Sequence, residues 1–297
     1  MTKKINIENL PSKYVVEKIK DHLHIFSESD NIHIYTKSIK CGVNLSLGKN
    51  IKIQNSTGGP LEELSFGDNV WIDHDCKFLV HSLSIGDYTK INNTFFLYGT
   101  NELSIGHNNW IGSGVILDTL GGLELENNVG IGSKSQIYSH AKFGDTSYGC
   151  KFLNYKPVKI EEDAWIAPSC TVIMASMATR SMLLAGGTLT KDTQANQIFA
   201  GIPAKNITDK TGTQFNEEID YKTIKNTVGK HLDKFHTKNP ELNAKNNLKI
   251  VLEKSDIKNT KHSYFVIRER KYTKRLTEVE IAFMKYLLPE KAKFTPF

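Results

Sequence analysis

Cysteine is scarce in this chain, and no run of apolar residues is long. Only four Cys occur among 297 residues, and no two of them have a C-x-x-C spacing. This excludes a disulfide scaffold and disfavours a structural zinc site. No segment reaches the roughly 20 apolar residues that a membrane-spanning helix needs, and the first residues lack the apolar core of a signal peptide. We therefore expect a protein of the reducing cytoplasm, without a membrane span.

Charge is nearly balanced overall but is unevenly distributed. The formal net charge is +6, with 39% apolar and 24% charged residues, which is the composition of a folded protein and not of a disordered one. Residues 1–208 carry a net charge of −1, whereas residues 209–297 carry +7. This asymmetry indicates two units with different roles. We predict an N-terminal cap segment at 1–35, a central domain at 36–208 and a basic domain at 209–297.

The most informative pattern is an apolar residue at every sixth position. It occurs in six sets of three, a period that neither an amphipathic helix nor a simple strand explains. The eighteen positions are Phe66, Ile72, Phe78; Ile85, Ile91, Leu97; Ile105, Ile111, Leu117; Leu125, Ile131, Ile137; Ile160, Ile166, Val172; and Met177, Leu183, Leu189. Leu47 and Ile53 form a weaker set before them.

Polar corners follow the first residue of most sets. They read GDN at 67–69, GDY at 86–88, GHNN at 106–109, ENN at 126–128 and EED at 161–163. Gly, Asn and Asp tolerate the backbone of a tight corner between short strands. The pattern predicts a solenoid of triangular coils, in which each coil buries its apolar side chains against its neighbours. The EED corner and Met177-Ala-Thr-Arg180 lack glycine, so the last two coils are expected to be less regular.

The repeat and its ending resemble the hexapeptide-repeat acyltransferases. The resemblance covers roughly residues 40–208, and its specific parts are KPVKIEEDAWIAPSCTV (156–172), LLAGGTLTKD (183–192) and FAGIPAKNI (199–207). Within that family, the sequence is most similar to sugar and polysaccharide O-acetyltransferases. The resemblance implies a mainly β protein with a left-handed parallel β-helix, and a homotrimer whose active sites lie between neighbouring solenoids. A non-catalytic solenoid that binds no coenzyme A is the non-enzyme alternative.

One long loop interrupts the six-residue repeat and is the expected location of the catalytic site. Ile137 and Ile160 are 23 residues apart, whereas Leu97 and Ile105 are 8 apart. Long loops on rigid scaffolds tend to carry function. The loop begins at Ser139-His140, where the resemblance implies a general base, and an imidazole suits that task near neutral pH. We predict His140 as the catalytic base, with Asp145, the nearest carboxylate in the loop, orienting it.

The resemblance also implies a site for acetyl-CoA near the C-terminal coils. Lys191 and Lys205 offer ammonium groups to the phosphates, and small side chains at Ala185 and Gly186 expose backbone N–H groups to the pantetheine arm. Thr190 and Trp165 match the same pattern, although Trp165 equally fits core or interface packing. Acetyl-CoA is thus the expected acyl donor.

A metal is not expected, although one rival interpretation involves zinc. The same solenoid also supports a carbonic-anhydrase type with three zinc-binding histidines, one pair in an H-x₄-H spacing. His74, His81 and His107 are separated by 7 and 26 residues and lack that spacing. Exposed corner positions explain these histidines better.

The two ends lie outside the repeat. Val15, Ile19, Leu23 and Ile25 predict one helix that covers the open end of the solenoid. In the C-terminal domain, we predict a helix at about 217–236, strands at 248–253 and 263–270, and a final helix after Thr277, which together form a small α+β appendage. Its basic stretch at 268–275, with Arg268, Arg270, Lys271, Lys274 and Arg275, favours an anionic acceptor; a solvated charged face is equally compatible, and no nucleic-acid-binding motif is present.

Together with these patterns, the resemblance implies a cytoplasmic O-acetyltransferase that transfers an acetyl group to a hydroxyl of a saccharide, such as a surface polysaccharide or its precursor. The acceptor is expected to be anionic or linked to a nucleotide or lipid. An N-acyltransferase acting on a nucleotide-linked amino sugar is the alternative, and it would tolerate loss of His140 because amines need less help from a base.

Overall fold

The computed structural model describes residues 5–297, which form two compact units that divide after Phe215. The predicted domain boundary at 208 lies seven residues earlier. No helix in the described part of the chain combines the length and apolar character needed to span a membrane.

The first unit is a parallel β-helix with three sheets. Its chain runs from sheet 1 to sheet 2 to sheet 3 and back to sheet 1, so the coil has three flat sides and three corners. Sheet 1 contains Ile5–Asn6, Ile39–Cys41, Leu64–Phe66, Leu83–Ile85, Leu103–Ile105, Leu123–Leu125 and Val158–Ile160. Sheet 2 contains Ser46–Leu47, Trp71–Ile72, Lys90–Ile91, Trp110–Ile111, Gly130–Ile131, Trp165–Ile166, Met182–Leu183, Ile198–Gly201 and Ala204–Asn206. Sheet 3 contains Val15–Ile19, His22–Ser27, Ile32–Thr36, Ile51–Gln54, Lys77–Leu79, Phe96–Tyr98, Ile116–Asp118, Gln136–Tyr138, Thr171–Ile173 and Thr188–Leu189.

The predicted six-residue repeat forms the core of this solenoid. All eighteen predicted positions are buried, and they lie in register from coil to coil. Ile72, Ile91, Ile111, Ile131, Ile166 and Leu183, for example, form one continuous stack in sheet 2. Each side chain therefore packs on the equivalent side chains above and below it, and the parallel β-helix is confirmed.

The corners between sheets 1 and 2 are built as predicted from residues that accept a left-handed backbone. Asn69, Asn108, Asn128 and Asp163 all have φ between 57° and 62°. Arg180 has φ 59°, so the last corner turns in the same way without glycine. The expected irregularity of the last coils is thus absent at this corner.

A ladder of side-chain acceptors connects the same corners. The side chain of Asp68 accepts the N–H of Val43, and Asp87 accepts the N–H of Asp68. His107 Nδ1 then accepts the N–H of Asp87 at 2.9 Å, and Asn127 accepts the N–H of His107. His107 therefore occupies a structural position that Asp or Asn fills in neighbouring coils.

The predicted N-terminal helix is wrong, because this segment is an antiparallel meander. Val15–Ile19 pairs with His22–Ser27, which pairs with Ile32–Thr36, and this last strand joins sheet 3 in parallel with Ile51–Gln54. The buried and half-buried side chains of His22–Ser27 alternate strictly. This two-residue alternation is typical of a strand. Val15 and Ile19, whose spacing of four residues suggested a helix, are both exposed and do not form a buried helical face.

The second unit is the predicted α+β fold. Its four-stranded sheet contains Leu248–Val251, Ser263–Val266, Lys271–Tyr272 and Thr295–Pro296. Among residues 5–297, the α-helices are α1 (Thr208–Thr211) in the first unit and α2 (Tyr221–Lys238), α3 (Ala244–Asn247) and α4 (Glu278–Leu287) in the second. The 3-10 turns there are Thr146–Tyr148, Pro240–Leu242 and Lys254–Asp256.

Capping side chains and aromatic packing explain how the second unit holds together. Asp220 caps α2 through the N–H groups of its first turn, and Thr277 caps α4. Phe235 of α2 packs on Phe283 of α4, which stands edge-on to Phe265 of the sheet. The predicted helix at 217–236 begins later, at Tyr221, because the Asp220 cap fixes its start.

Candidate active site

The long loop leaves the solenoid as a hairpin, which we call the arm (residues 139–158). His140–Lys142 pairs with Leu153–Tyr155 in antiparallel fashion, directly at the corner between sheets 3 and 1. The N–H of Lys156 donates to the carbonyl of Ser139 and closes the base of the arm. His140 is thus the second residue beyond the rigid core strand Gln136–Tyr138, which fixes its backbone.

Asp118 is the carboxylate that orients His140. The Nδ1 of His140 lies 2.5 Å from Oδ2 of Asp118, and the Asp118 side chain is fully buried. Asp118 also accepts hydrogen bonds from the N–H groups of Ser139 and Leu120 and from the Ser139 hydroxyl. Three donors besides the imidazole stabilise the ionised carboxylate in this buried position.

This contact determines the chemistry of the imidazole. A carboxylate only accepts hydrogen bonds, so Nδ1 of His140 carries the proton and Nε2 presents its lone pair. The His140 side chain is 16% exposed. A half-buried imidazole with a fixed tautomer and a free Nε2 is suited to remove a proton from a substrate.

Two tyrosines enclose the His140 ring. Tyr155, its cross-strand partner, lies nearly parallel to it with centroids 6.1 Å apart, and Tyr98 meets it edge-on at 6.5 Å. Burial, together with the nearby Asp118 carboxylate and Tyr138, raises the pKa of Tyr98 to about 12. Tyr98 therefore stays a neutral phenol near neutral pH, and its ring restricts the motion of the imidazole.

Asp145 does not contact His140 in the structure. It caps the 3-10 turn Thr146–Tyr148, where its side chain accepts the N–H groups of Ser147 and Tyr148. Sequence proximity favoured it, but the β-helix brings a residue from the previous coil closer. One sequence feature could have identified Asp118 as a site residue. It directly follows the core residue Leu117, at the register position that Tyr98 occupies in the preceding coil.

The residues predicted for the acyl donor lie on different corners of the coil. Thr190 and Lys191 follow the last strand of sheet 3 and so share the sheet 3 to sheet 1 corner with His140. Ala185 and Gly186 lie at the corner between sheets 2 and 3, Trp165 is on the outer face of sheet 2, and Lys205 is on its last strand. All six are exposed.

Gly186 departs from its predicted role. Its φ of +71° requires glycine, and open space surrounds it, but its N–H donates to the carbonyl of Pro168 at 3.1 Å. That N–H is therefore already engaged within the solenoid. The backbone of Gly186 offers a small surface for close approach but not the expected donor.

An open groove of about 720 Å³ lies beside the His140 corner. Gly122 and Pro157 line this groove. Their sequence neighbours, Gly121 and Lys156, each donate a backbone N–H to Ser139, the residue before His140. Its wall combines polar and apolar surface, with lining residues His81, Thr100, Asn101, Glu102, Gly122, Leu123, Glu124, Pro157, Val158 and Lys159.

The three histidines of the zinc interpretation do not converge within the chain. His74 lies between sheets 2 and 3, His81 between sheets 3 and 1, and His107 between sheets 1 and 2. Within residues 5–297, no three His, Cys, Asp or Glu side chains are grouped closely enough to hold a metal ion.

The basic stretch of the second unit is largely engaged within that unit. Arg268 pairs with Glu253 at 3.0 Å and lies over the ring of Tyr221, and Arg275 donates to the carbonyl of Lys261. Lys271 lies 5.9 Å from the ring of Phe297. These contacts favour a structural role for part of the stretch.

No family model matches the chain, and no curated protein matches its sequence. Among solved structures, it is similar to a hexapeptide-repeat acetyltransferase of Vibrio cholerae, with 18% identity, a TM-score of 0.37 and coverage of 44% of this chain and 74% of that one. AntD, an N-acyltransferase of Bacillus cereus in complex with dTDP and 3-hydroxybutyryl-CoA, has 17% identity, a TM-score of 0.39 and coverage of 57% and 81%. The polySia-specific acetyltransferase NeuO has 20% identity, a TM-score of 0.36 and coverage of 58% and 87%. At such low identities and TM-scores, the strand register described above, and not these likenesses, establishes the fold.

Proposed function

We propose that this chain is a hexapeptide-repeat acyltransferase that transfers an acetyl group from acetyl-CoA to a hydroxyl of a saccharide. The observation that supports this most strongly is the Asp118–His140 pair at the corner of a rigid solenoid. A buried carboxylate that fixes the tautomer of a half-buried imidazole is an arrangement suited to general-base catalysis.

The reaction follows from this geometry. Nε2 of His140 removes the proton of a saccharide hydroxyl, whose oxygen attacks the thioester carbonyl carbon of acetyl-CoA. The tetrahedral intermediate then breaks its C–S bond, and the coenzyme A thiolate takes the proton back from the imidazolium. Asp118 stabilises the imidazolium during the interval in which His140 holds the proton. The products are an acetyl ester and free coenzyme A.

The donor site is proposed to lie between two solenoids of a homotrimer. Lys191 and Thr190 share a corner with His140, whereas Ala185 and Gly186 lie at another corner of the same coil. A neighbouring copy would place one of its corners opposite these residues and close the site. Lys191 and Lys205 would then hold the phosphates, while Trp165, Ala185 and Gly186 line the pantetheine chain of the coenzyme. A cytoplasmic location belongs to the same proposal, as the four free thiols suggest.

The acceptor is proposed to be a saccharide, bound in the groove beside the His140 corner. Asn101, Glu102 and Lys159 in the wall of that groove offer hydrogen-bonding groups to a ligand rich in hydroxyls. An anionic acceptor, or one linked to a nucleotide or lipid, belongs to the same proposal. Nucleic acid is not part of the proposal.

The test is coenzyme A release from acetyl-CoA with a panel of sugars, nucleotide sugars and capsular polysaccharides. The His140→Ala variant should lower kcat with a hydroxyl acceptor by roughly 10²–10⁴-fold. His107→Asn is the matched control, because an amide oxygen keeps the corner ladder intact. If His140→Ala retains its activity only on amino sugars, the chain is an N-acyltransferase; if it retains activity on hydroxyls, another group is the base and this assignment fails.

A further inference from the structure

All three tryptophans of the chain lie in one row on the outer face of sheet 2. The strand register aligns Trp71 with Lys90, Lys90 with Trp110, Trp110 with Gly130, and Gly130 with Trp165. We call these five residues the tryptophan row. The next residue in each of these strands is an inward-facing isoleucine of the core, so every member of the row is held on the outer side of the sheet.

The tryptophan positions are evenly spaced along the row. Adjacent strands of a sheet are about 4.8 Å apart, so Trp71, Trp110 and Trp165, each two strands from the next, stand about 10 Å apart. Trp110 and Trp165 are both 47% exposed. The solenoid backbone fixes this spacing, since every row member pairs in register with the next.

The positions between the rings differ in kind. The ammonium group of Lys90 lies 4.2 Å from the ring centre of Trp71, over its face. Gly130, by contrast, has no side chain between Trp110 and Trp165. A Cβ at Gly130 would come within 3.3 Å of Cδ1 of Trp165, which shows that the indole leans over the glycine backbone. Lys90 thus covers the ring of Trp71, whereas no side chain separates the rings of Trp110 and Trp165.

We propose that the tryptophan row binds an extended saccharide chain by stacking. The C–H face of a pyranose ring is apolar and packs on an indole, whose π face is electron-rich. The length of one sugar unit in an extended chain is close to the spacing of neighbouring strands. Alternate sugars therefore rest on Trp110 and Trp165, the sugar between them crosses Gly130, and Lys90 meets the hydroxyl or carboxyl groups of the next unit.

The row fits a saccharide better than a nucleic acid or a second copy of the chain. Nucleic-acid binding depends on many cations that meet phosphates, and residues 1–208 carry a net charge of −1. The core of a protein interface is contiguous and apolar, whereas here a lysine and a glycine separate the rings. The test of the row rests on Trp110, because Trp165 also belongs to the proposed donor site; the row lies on sheet 2, and His140 lies at the corner between sheets 3 and 1.

Intrinsic fluorescence tests the proposal directly, since the row contains every tryptophan of the chain. The full chain is titrated with cellohexaose, maltohexaose and N-acetylchitohexaose, and with the disaccharide and monosaccharide of each. At least one hexasaccharide should shift the tryptophan emission. Its affinity should exceed that of the disaccharide by at least tenfold, because a disaccharide cannot span two rings.

Variants then locate the site. Trp110→Ala should weaken that hexasaccharide at least tenfold, and Trp110→Phe should retain most of the binding. Phe297→Ala, at an exposed ring of the second unit, is the matched control and should bind like the wild type. Acetyl-CoA turnover with a monosaccharide acceptor provides a separate readout for the proposed activity. The proposal is overturned if none of the three hexasaccharides shifts the emission at millimolar concentration, if an oligonucleotide shifts it instead, or if Trp110→Lys dissociates an oligomer in light scattering.

Discussion

Oδ2 of Asp118 lies 2.5 Å from Nδ1 of His140, although 22 residues separate the two in sequence. One turn of the solenoid brings them together, because the strand that ends at Asp118 lies beside the strand that precedes Ser139. The buried carboxylate of Asp118 thereby positions the imidazole of His140 at the base of the arm.

Replacing Asp118 by Asn should impair catalysis more than it impairs coenzyme A binding. The amide can donate to Nδ1 of His140, which favours the tautomer with its proton on Nε2 and removes the base. We expect kcat to fall roughly 10²–10⁴-fold, with little change in the Kd for coenzyme A. Imidazole ¹⁵N chemical shifts would report the tautomer. Asp145→Asn serves as the control, and equal losses in both variants would contradict the role of Asp118.

The proposed donor site predicts a separation of kinetic effects. Lys191→Ala and Lys205→Ala should raise KM for acetyl-CoA more than they lower kcat, since contacts with phosphates are remote from the reacting carbonyl. Initial rates over a range of acetyl-CoA concentrations measure this. Lys134→Ala, another exposed lysine of the solenoid, should leave both constants unchanged. An unchanged KM in both test variants would place the coenzyme elsewhere.

The arm carries the most exposed aromatic residues of the described chain, which predicts that another copy covers it. Phe143, Tyr148 and Phe152 are exposed by 102%, 93% and 75%. Light scattering should give three times the chain mass of 33.5 kDa. Replacing these three residues by Ser should reduce that mass, whereas Ile224→Ser, at a half-exposed position of α2, should not. A monomeric wild type would refute the shared site.

Two glycine substitutions should change stability in opposite directions. A Cβ at Gly86 would approach the backbone carbon of Gly106 to 2.6 Å, so Gly86→Ala must push two coils apart. Gly229 lies inside α2 with nothing within 4 Å, and Ala there should raise stability by about 0.5–1 kcal/mol, because glycine is a poor helix former. Urea unfolding of both variants checks this, and a stabilising Gly86→Ala would contradict the close stacking of the coils.

Acid should loosen the N-terminal meander through His24. Its ring stacks on Tyr35 at 4.3 Å, and its Nε2 lies 3.3 Å from Nδ1 of His33. Burial first, and then the neighbouring imidazoles of His33 and His22, lower the pKa of His24, while Glu17 acts in the opposite direction. The unfolded chain therefore binds this proton more readily. The resulting stability is complete above the usual histidine pKa of 6.5 and is lost as pH falls below it.

The measurement is the melting temperature between pH 7.5 and 5.5. His24→Gln should make the decline shallower, because it removes one group that protonates more readily in the unfolded chain. His262→Gln, in the second unit, is the control. An equally steep decline in His24→Gln and the wild type would show that other groups control the acid response.

The sequence was sufficient to predict the solenoid because the apolar residue at every sixth position recurs in coil after coil. One substitution cannot hide a six-residue period, and each of the eighteen positions serves the same packing. The N-terminal meander lacks such redundancy: Val15 and Ile19 fit a helix, and only His22-Leu23-His24-Ile25 carries the alternation of a strand. Pairing with Ile51–Gln54 decides between the two, and local sequence does not contain that information.

The site was predictable only in part for a similar reason. His140 stands at the start of the interruption and could be found from the chain order alone. Asp118 acts through the coil-to-coil register, so its role emerges only when Leu117 and Ile137 are known to be neighbours. Local proximity favoured Asp145, which contributes to the shape of the arm.

The arm is an addition to the scaffold and interrupts none of its stacks. Leu125 of one coil pairs with Ile160 of the next, and Ile131 pairs with Ile166, although the whole arm is inserted between these coils. The hydrogen bond from Lys156 to Ser139 closes the insertion at its base. Selection can therefore lengthen, shorten or replace this segment without altering the frame that supports it. Exchange of this single hairpin would therefore change the surroundings of His140, while the fold itself remains under separate constraint.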